Sequence, residues 1–116
     1  MLDSGYSETS IAVEAYHAAI VRTTLYRKGI QTPALIDATE KISNARDSLD
    51  NPIDDDQGIT PIGNASNIAP LDNNGLAFGR TTGDVLNIVY LNPGAVSKGG
   101  FFPNGVNGNI VLSSAN

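Results

Sequence analysis

Cysteine and tryptophan are absent from this 116-residue chain, and histidine and methionine occur once each. Without cysteine there can be no disulfide, thiolate zinc site, iron–sulfur cluster or thiol nucleophile. A single histidine leaves few general bases or imidazole ligands, and an aromatic content of 6% supplies no stacking platform for single-stranded nucleic acid. Basic residues number 7 against 12 acidic ones, a net charge of −5, and they form no cluster. Nucleic acid and anionic membrane surfaces are therefore excluded as charge-driven partners. No apolar run approaches the roughly 18 to 20 residues of a membrane span. The opening Met1-Leu2-Asp3-Ser4 lacks the positive flank of a secretion signal, so it leaves the compartment unknown. Small molecules, metal cations and proteins remain as partners, and any chemistry must involve carboxylates.

Hydrophobic residues make up 41% of the chain, enough for one small domain with a thin core, while 12 glycines and 6 prolines assign much of it to turns. The composition changes near Asn51-Pro52. Residues 1–50 read as a helical hairpin. In its first helix, Ser7 is placed to cap, Arg27 and Lys28 occupy the last turn, and Gly29 stands where a left-handed stop belongs. Glu14, His17, Ala18, Val21 and Leu25 share one face at 100° per residue, and Ala12, Ala15 and Ala19 form a second, small-residue face. That pattern predicts a helix buried on more than one side. Thr32-Pro33 opens the second helix, with a stripe of Leu35, Ala38, Ile42, Ala45 and Leu49 and with Asp37–Lys41 and Arg46–Asp50 as i, i+4 pairs on its exposed side.

Residues 51–116 read as loop-rich. Within them Thr81 and Asp84 have capping-box spacing and start a short helix of about 82–91, closed by Asn92-Pro93-Gly94. The same apolar run also suits a buried strand. Beyond Pro93 the Gly, Asn and Pro density supports turns alone, with Phe101-Phe102 as the apolar anchor.

One constellation carries chemistry. Glu14 and His17 lie one turn apart on the first helix, about 4.5 Å along its axis, so the two side chains can hold one metal ion together. On an apolar face an unpaired carboxylate would cost several kcal/mol, which either a metal or a structural Glu–His hydrogen bond relieves. In di-iron and di-manganese bundles, two helices each give a Glu-x-x-His and two others each give a Glu.

The wording around this motif carries a resemblance. Ile11-Ala12-Val13-Glu14-Ala15-Tyr16-His17-Ala18-Ala19-Ile20-Val21-Arg22 is followed in order by Ile42-Ser43-Asn44-Ala45-Arg46-Asp47-Ser48-Leu49-Asp50, Asp54-Asp55-Asp56-Gln57-Gly58-Ile59 and Asn67-Ile68-Ala69-Pro70. Val85-Leu86-Asn87-Ile88-Val89-Tyr90-Leu91-Asn92 and Gly99-Gly100-Phe101-Phe102-Pro103-Asn104-Gly105-Val106-Asn107-Gly108 complete the series. This succession resembles the C-terminal part of the desiccation-related, ferritin-like family of plants, bacteria and fungi. The resemblance implies a mainly α fold: an α-hairpin from a ferritin-like four-helix bundle, then a long irregular C-terminal extension with one short helix. It also implies stress-related function and a di-iron or di-manganese carboxylate centre, with Glu14 and His17 as the metal ligands present here. Full members carry further bundle helices upstream and are often secreted. The expectation is thus a fragment or truncated form that needs the missing helices, or self-association as a homodimer. In a homodimer Asp47 falls level with Glu14, Asp50 lies about one turn off, and Glu40 is too distant to bridge. The other expectation is a metal-free structural or stress-protection module without enzymatic activity.

The remaining features read blandly. Asp54-Asp55-Asp56 lacks calcium-loop spacing and suits a solvated loop. Asn64-Ala65-Ser66 matches a glycosylation acceptor only by pattern, and Gly99-Gly100 follows no strand, so it is no phosphate loop. Arg22 is placed to neutralise an acid of the C-terminal segment.

Overall fold

The computed structural model describes residues 8–116, with side chains from residue 12 onward, so the cap expected at Ser7 lies outside the described residues. Three α-helices are the regular elements among them: α1 (Glu8–Gln31), α2 (Ala34–Asp47) and α3 (Thr82–Tyr90). Strand pairing among the described residues is confined to isolated bridges, Ile62 with Ala65 and Gly99 with Phe102. The chain is mainly helical in its regular structure. No described helix is long and apolar enough to cross a membrane.

α1 runs for 24 residues, about 36 Å. It does not stop at Gly29, because the Thr32 N–H still donates to the Lys28 carbonyl at 3.0 Å. Gly29 is buried, and a Cβ there would fall 2.5 Å from Ile36 Cγ1. Close approach of α2 demands glycine at this position, where the sequence suggested a left-handed turn; both uses select the same residue, so pattern alone does not separate them. α2 begins as expected at Thr32-Pro33, whose carbonyls accept from Leu35 at 3.0 Å and Ile36 at 2.9 Å. It ends in a tightening turn in which the Leu49 N–H donates to the Arg46 carbonyl at 2.9 Å.

α3 resolves the helix-or-strand alternative in favour of helix. Thr81 accepts from the Asp84 N–H while the Asp84 carboxylate accepts from the Thr81 N–H, which completes the capping box. Its C-terminus turns on Leu91 in the left-handed conformation (φ 53°), one residue before the Asn92-Pro93-Gly94 stop.

Two compact units alternate along the sequence. Among the described residues, those up to Thr39 together with Ile59–Ala69 form the first, and Glu40–Gly58 with Pro70–Asn116 the second. In the first unit Ile59 is the buried apolar residue, 1% exposed. Arg22 reaches carbonyls here, donating to Ile68 at 2.7 Å and Asn67 at 2.8 Å, so its guanidinium organises main chain in residues 59–69. Val13, Tyr16, Ile20 and Val21 stay between 44% and 66% exposed.

The second unit has a partly polar core. Leu86 and Tyr90 are buried beside Asn87, which is 0% exposed. The Asn87 side chain donates to the carbonyls of Asn92 (2.7 Å) and Ser114 (3.0 Å) and accepts from the Ser114 N–H (3.1 Å). The Tyr90 hydroxyl donates to the Val111 carbonyl, and the buried Ser113 hydroxyl donates to the Gly94 carbonyl and accepts from the Val96 N–H. These polar groups anchor the tail. Phe101 and Phe102 do not, being 72% and 42% exposed. Gly100 (φ +44°) explains the difference: it lets the chain pass over the end of α3, where the Phe101 N–H donates to the Val89 carbonyl at 3.0 Å, and a Cβ on Gly100 would lie 2.7 Å from that carbonyl oxygen.

Candidate cation site

The second unit folds the end of α2 back on the loop that follows. Asn51 drives this turn, because its Oδ1 accepts from the Ile53 N–H at 2.8 Å, an Asx turn for which Asn-Pro is well suited. Asp55 then donates its N–H to the Asp47 carboxylate at 3.3 Å. As a result Asp47, Asp50, Asp55 and Asp56, spread over ten residues of sequence, each offer one oxygen within 4.8 Å of the others.

Arg80 enters this group from the other side of the unit. Its Nε donates to Asp50 Oδ2 at 2.7 Å, and its Nη2 donates to Asp55 Oδ1. The same Nη2 lies 2.7 Å from Asp56 Oδ2, but off the hydrogen-bond axis, so the charge is met while the oxygen accepts no hydrogen bond. Arg46, near the end of α2, holds Asp56 Oδ1 at 3.1 Å. Asp50 Oδ1 is enclosed and accepts no hydrogen bond among the described residues, and the Asp50 side chain is 0% exposed. Four carboxylates against the guanidiniums of Arg46 and Arg80 leave two negative charges in a group of which Asp50, Asp55 and Asp56 are buried and Asp47 is half-buried. Burial raises the Asp56 carboxyl above its ordinary range; Arg46 and Arg80 oppose that shift, and Asp50 and Asp55 add to it. An all-oxygen donor set of this kind can hold a metal ion of the hard class.

The acidic run is therefore no simple solvated loop. Asp54 is exposed, whereas Asp55 and Asp56 are 6% exposed each. The expected Arg46–Asp50 pair is replaced as well, Arg46 turning to Asp56 and Asp50 to Arg80. Five of the 12 acids fall at 47–56, and Arg80 is the sole base between positions 47 and 97. That imbalance was the available signal for a buried arginine.

Glu14 and His17 sit together on α1, both exposed, with the Tyr16 and His17 rings 6.4 Å apart and tilted by 47°. Of the face predicted to be buried, Ala18 and Val21 are exposed too and Leu25 is half-buried. Among the described residues no further His, Asp or Glu completes a ligand set with Glu14 and His17. Their face carries no cover there, because the described chain provides α1 and α2 but no further long helix.

Comparison of the chain with family models, with curated proteins and with solved structures finds no match in any of the three.

Proposed function

We propose that this chain is a ferritin-like, desiccation- or stress-related protein segment whose α1 acts as a bundle helix, with Glu14 and His17 as its contribution to a di-iron or di-manganese carboxylate centre. One observation carries the reading: α1 is a single 24-residue helix on which the Glu-x-x-His pair and the apolar side chains Val13, Tyr16, Ile20 and Val21 are all uncovered. A helix of that composition is stable in water only when other helices cover it. Further helices, from another segment or from a second copy of the chain, supply the cover and the remaining carboxylate and imidazole ligands. The sequence resemblance supplies the metal class and the link to water stress.

The rival reading, a metal-free structural or stress-protection module, draws support from the same exposure, since a lone Glu and His in water bind metal weakly. Elemental analysis of the purified chain decides between them. It is run after loading with Fe(II) or Mn(II), with size determined alongside and with Glu14→Ala and His17→Ala in parallel. Metal bound to a self-associated chain and lost in both variants supports the di-metal centre. Metal that is absent, or that survives both substitutions, establishes the metal-free module for this part of the chain.

A further inference from the structure

We propose that Asp47, Asp50, Asp55 and Asp56 form a binding site for a calcium-sized divalent cation, separate from Glu14 and His17 and sharing no residue with them. The carrying observation is Asp50. Its side chain is fully enclosed, one oxygen is held by Arg80, the other accepts no hydrogen bond among the described residues, and Asp47, Asp55 and Asp56 each bring a carboxylate oxygen within 4.8 Å of an Asp50 oxygen. A buried carboxylate oxygen left without hydrogen bond or cation is costly, and native proteins rarely leave one so.

The dimensions select the ion. Calcium binds oxygen at about 2.3–2.6 Å, so ligand atoms on opposite sides of it stand roughly 4.6–5.2 Å apart. The four oxygens here lie within 4.8 Å of one another, so one ion of that size reaches all of them. Magnesium, at about 2.0–2.1 Å, would draw its widest pair to roughly 4.2 Å and demands near-octahedral order, so this site suits it less. The charge agrees, because the two negative charges left over after Arg46 and Arg80 are those a divalent cation neutralises. Arg80 already holds Asp50 Oδ2 and Asp55 Oδ1, which leaves Asp50 Oδ1 as the buried oxygen a cation would relieve. Such an ion would tie the end of α2 to the loop at 55–56. No motif announces it, since the ligands do not follow the Asp-x-Asp-x-Asp-Gly pattern of a contiguous calcium loop.

Isothermal titration of the chelator-stripped chain with CaCl2, and separately with MgCl2, at pH 7 and low salt tests this. The expected result is saturable calcium binding with one ion per chain and a Kd of about 10⁻⁴ to 10⁻³ M, the range of sites with few fixed ligands, and magnesium at least about tenfold weaker. Asp50→Asn is expected to weaken calcium binding at least about tenfold, as loss of one ligand charge does, while Asp54→Asn, on the exposed neighbour, leaves it unchanged. Arg46 is partly exposed, so Arg46→Gln keeps the fold and removes an opposing charge; binding is expected to tighten about three- to tenfold. Absence of saturable binding by the wild type with its helical circular dichroism intact overturns the proposal. So does equal affinity for the two ions, Asp50→Asn binding as the wild type does, Asp54→Asn losing as much as Asp50→Asn, or Arg46→Gln binding no tighter.

Discussion

Along α1 the main chain is satisfied within the helix, and Thr23 and Thr24 turn even their hydroxyls back to the carbonyls of Ala19 and Ile20. Yet much of its apolar surface is exposed. From Pro70 to Asn116 only the nine residues of α3 are helical, and still Asn87, Ser113 and Tyr90 are enclosed and joined by side-chain hydrogen bonds to the carbonyls of Ser114, Gly94 and Val111. The contrast teaches that regularity and tertiary order are different things. The helix is regular because its hydrogen bonds are local, whereas the irregular segment is ordered because a few buried polar groups each have several partners. Local bonds survive most substitutions; a polar hub fails at once when its centre is removed.

That comparison is open to attack in order of size. Arg80→Met removes the cation shared by Asp50, Asp55 and Asp56 and is expected to destabilise the second unit by about 3–5 kcal/mol, the usual cost of leaving buried charge unpaired. Urea unfolding followed by circular dichroism reads this; a loss below about 1 kcal/mol would show that the carboxylates find other partners. Asn87→Ala strands the Ser114 N–H and the Asn92 carbonyl together and is expected to cost about 2–4 kcal/mol, with amide hydrogen exchange accelerating at 111–116 and unchanged along α1. Exchange that quickens equally in α1 would erase the distinction drawn above.

Smaller changes sharpen it. Gly29→Ala gains about 1 kcal/mol of helix propensity but drives a methyl group into Ile36, and overpacking costs about 1–3 kcal/mol, so a net loss of about 1 kcal/mol is expected in thermal melts. Thr81→Ala removes the α3 cap and should cost about 1 kcal/mol.

The pH dependence has two opposed parts. Asp84 is held below its ordinary value of 3.8 by the Thr81 hydroxyl, then by the Thr81 N–H and Ser114, so the stability it adds is present above pH 3.8 and is lost as pH falls through its lowered pKa. Asp56 is raised above 3.8 by burial, so its contribution is full below pH 3.8 and disappears as pH rises through the raised value. Unfolding free energies in chelator-containing buffer between pH 2 and 7 are expected to lose the first slope in Asp84→Asn and the second in Asp56→Asn.

What could be read beforehand follows the range of the interaction. Thr32-Pro33 and the Thr81–Asp84 box are contiguous signals: α2 starts beside the first, where the proline's fixed φ suits a first turn, and α3 starts at the second, because a cap needs only its own next turn. Gly29 misled because its reason lies on another element, in Ile36. Phe101-Phe102 misled because apolarity favours burial without assigning it, and the hydrogen bond from Phe101 to Val89 fixes the backbone there while the rings face outward. The acidic loop was illegible as a site because its organising residue, Arg80, stands 24 or more positions away from Asp56, Asp55 and Asp50.

The sequence by itself determined the helical hairpin, the capping box that starts α3, and the placing of Glu14 and His17 one turn apart on α1, because each depends on residues within a turn or two of one another. Tertiary structure alone decided which acids are buried. Only folding brings a single arginine to three carboxylates, leaves Asp50 Oδ1 enclosed without a hydrogen bond among the described residues and makes Asn87 the centre of a core, since desolvation and charge pairing act between groups near in space, whatever their distance along the chain.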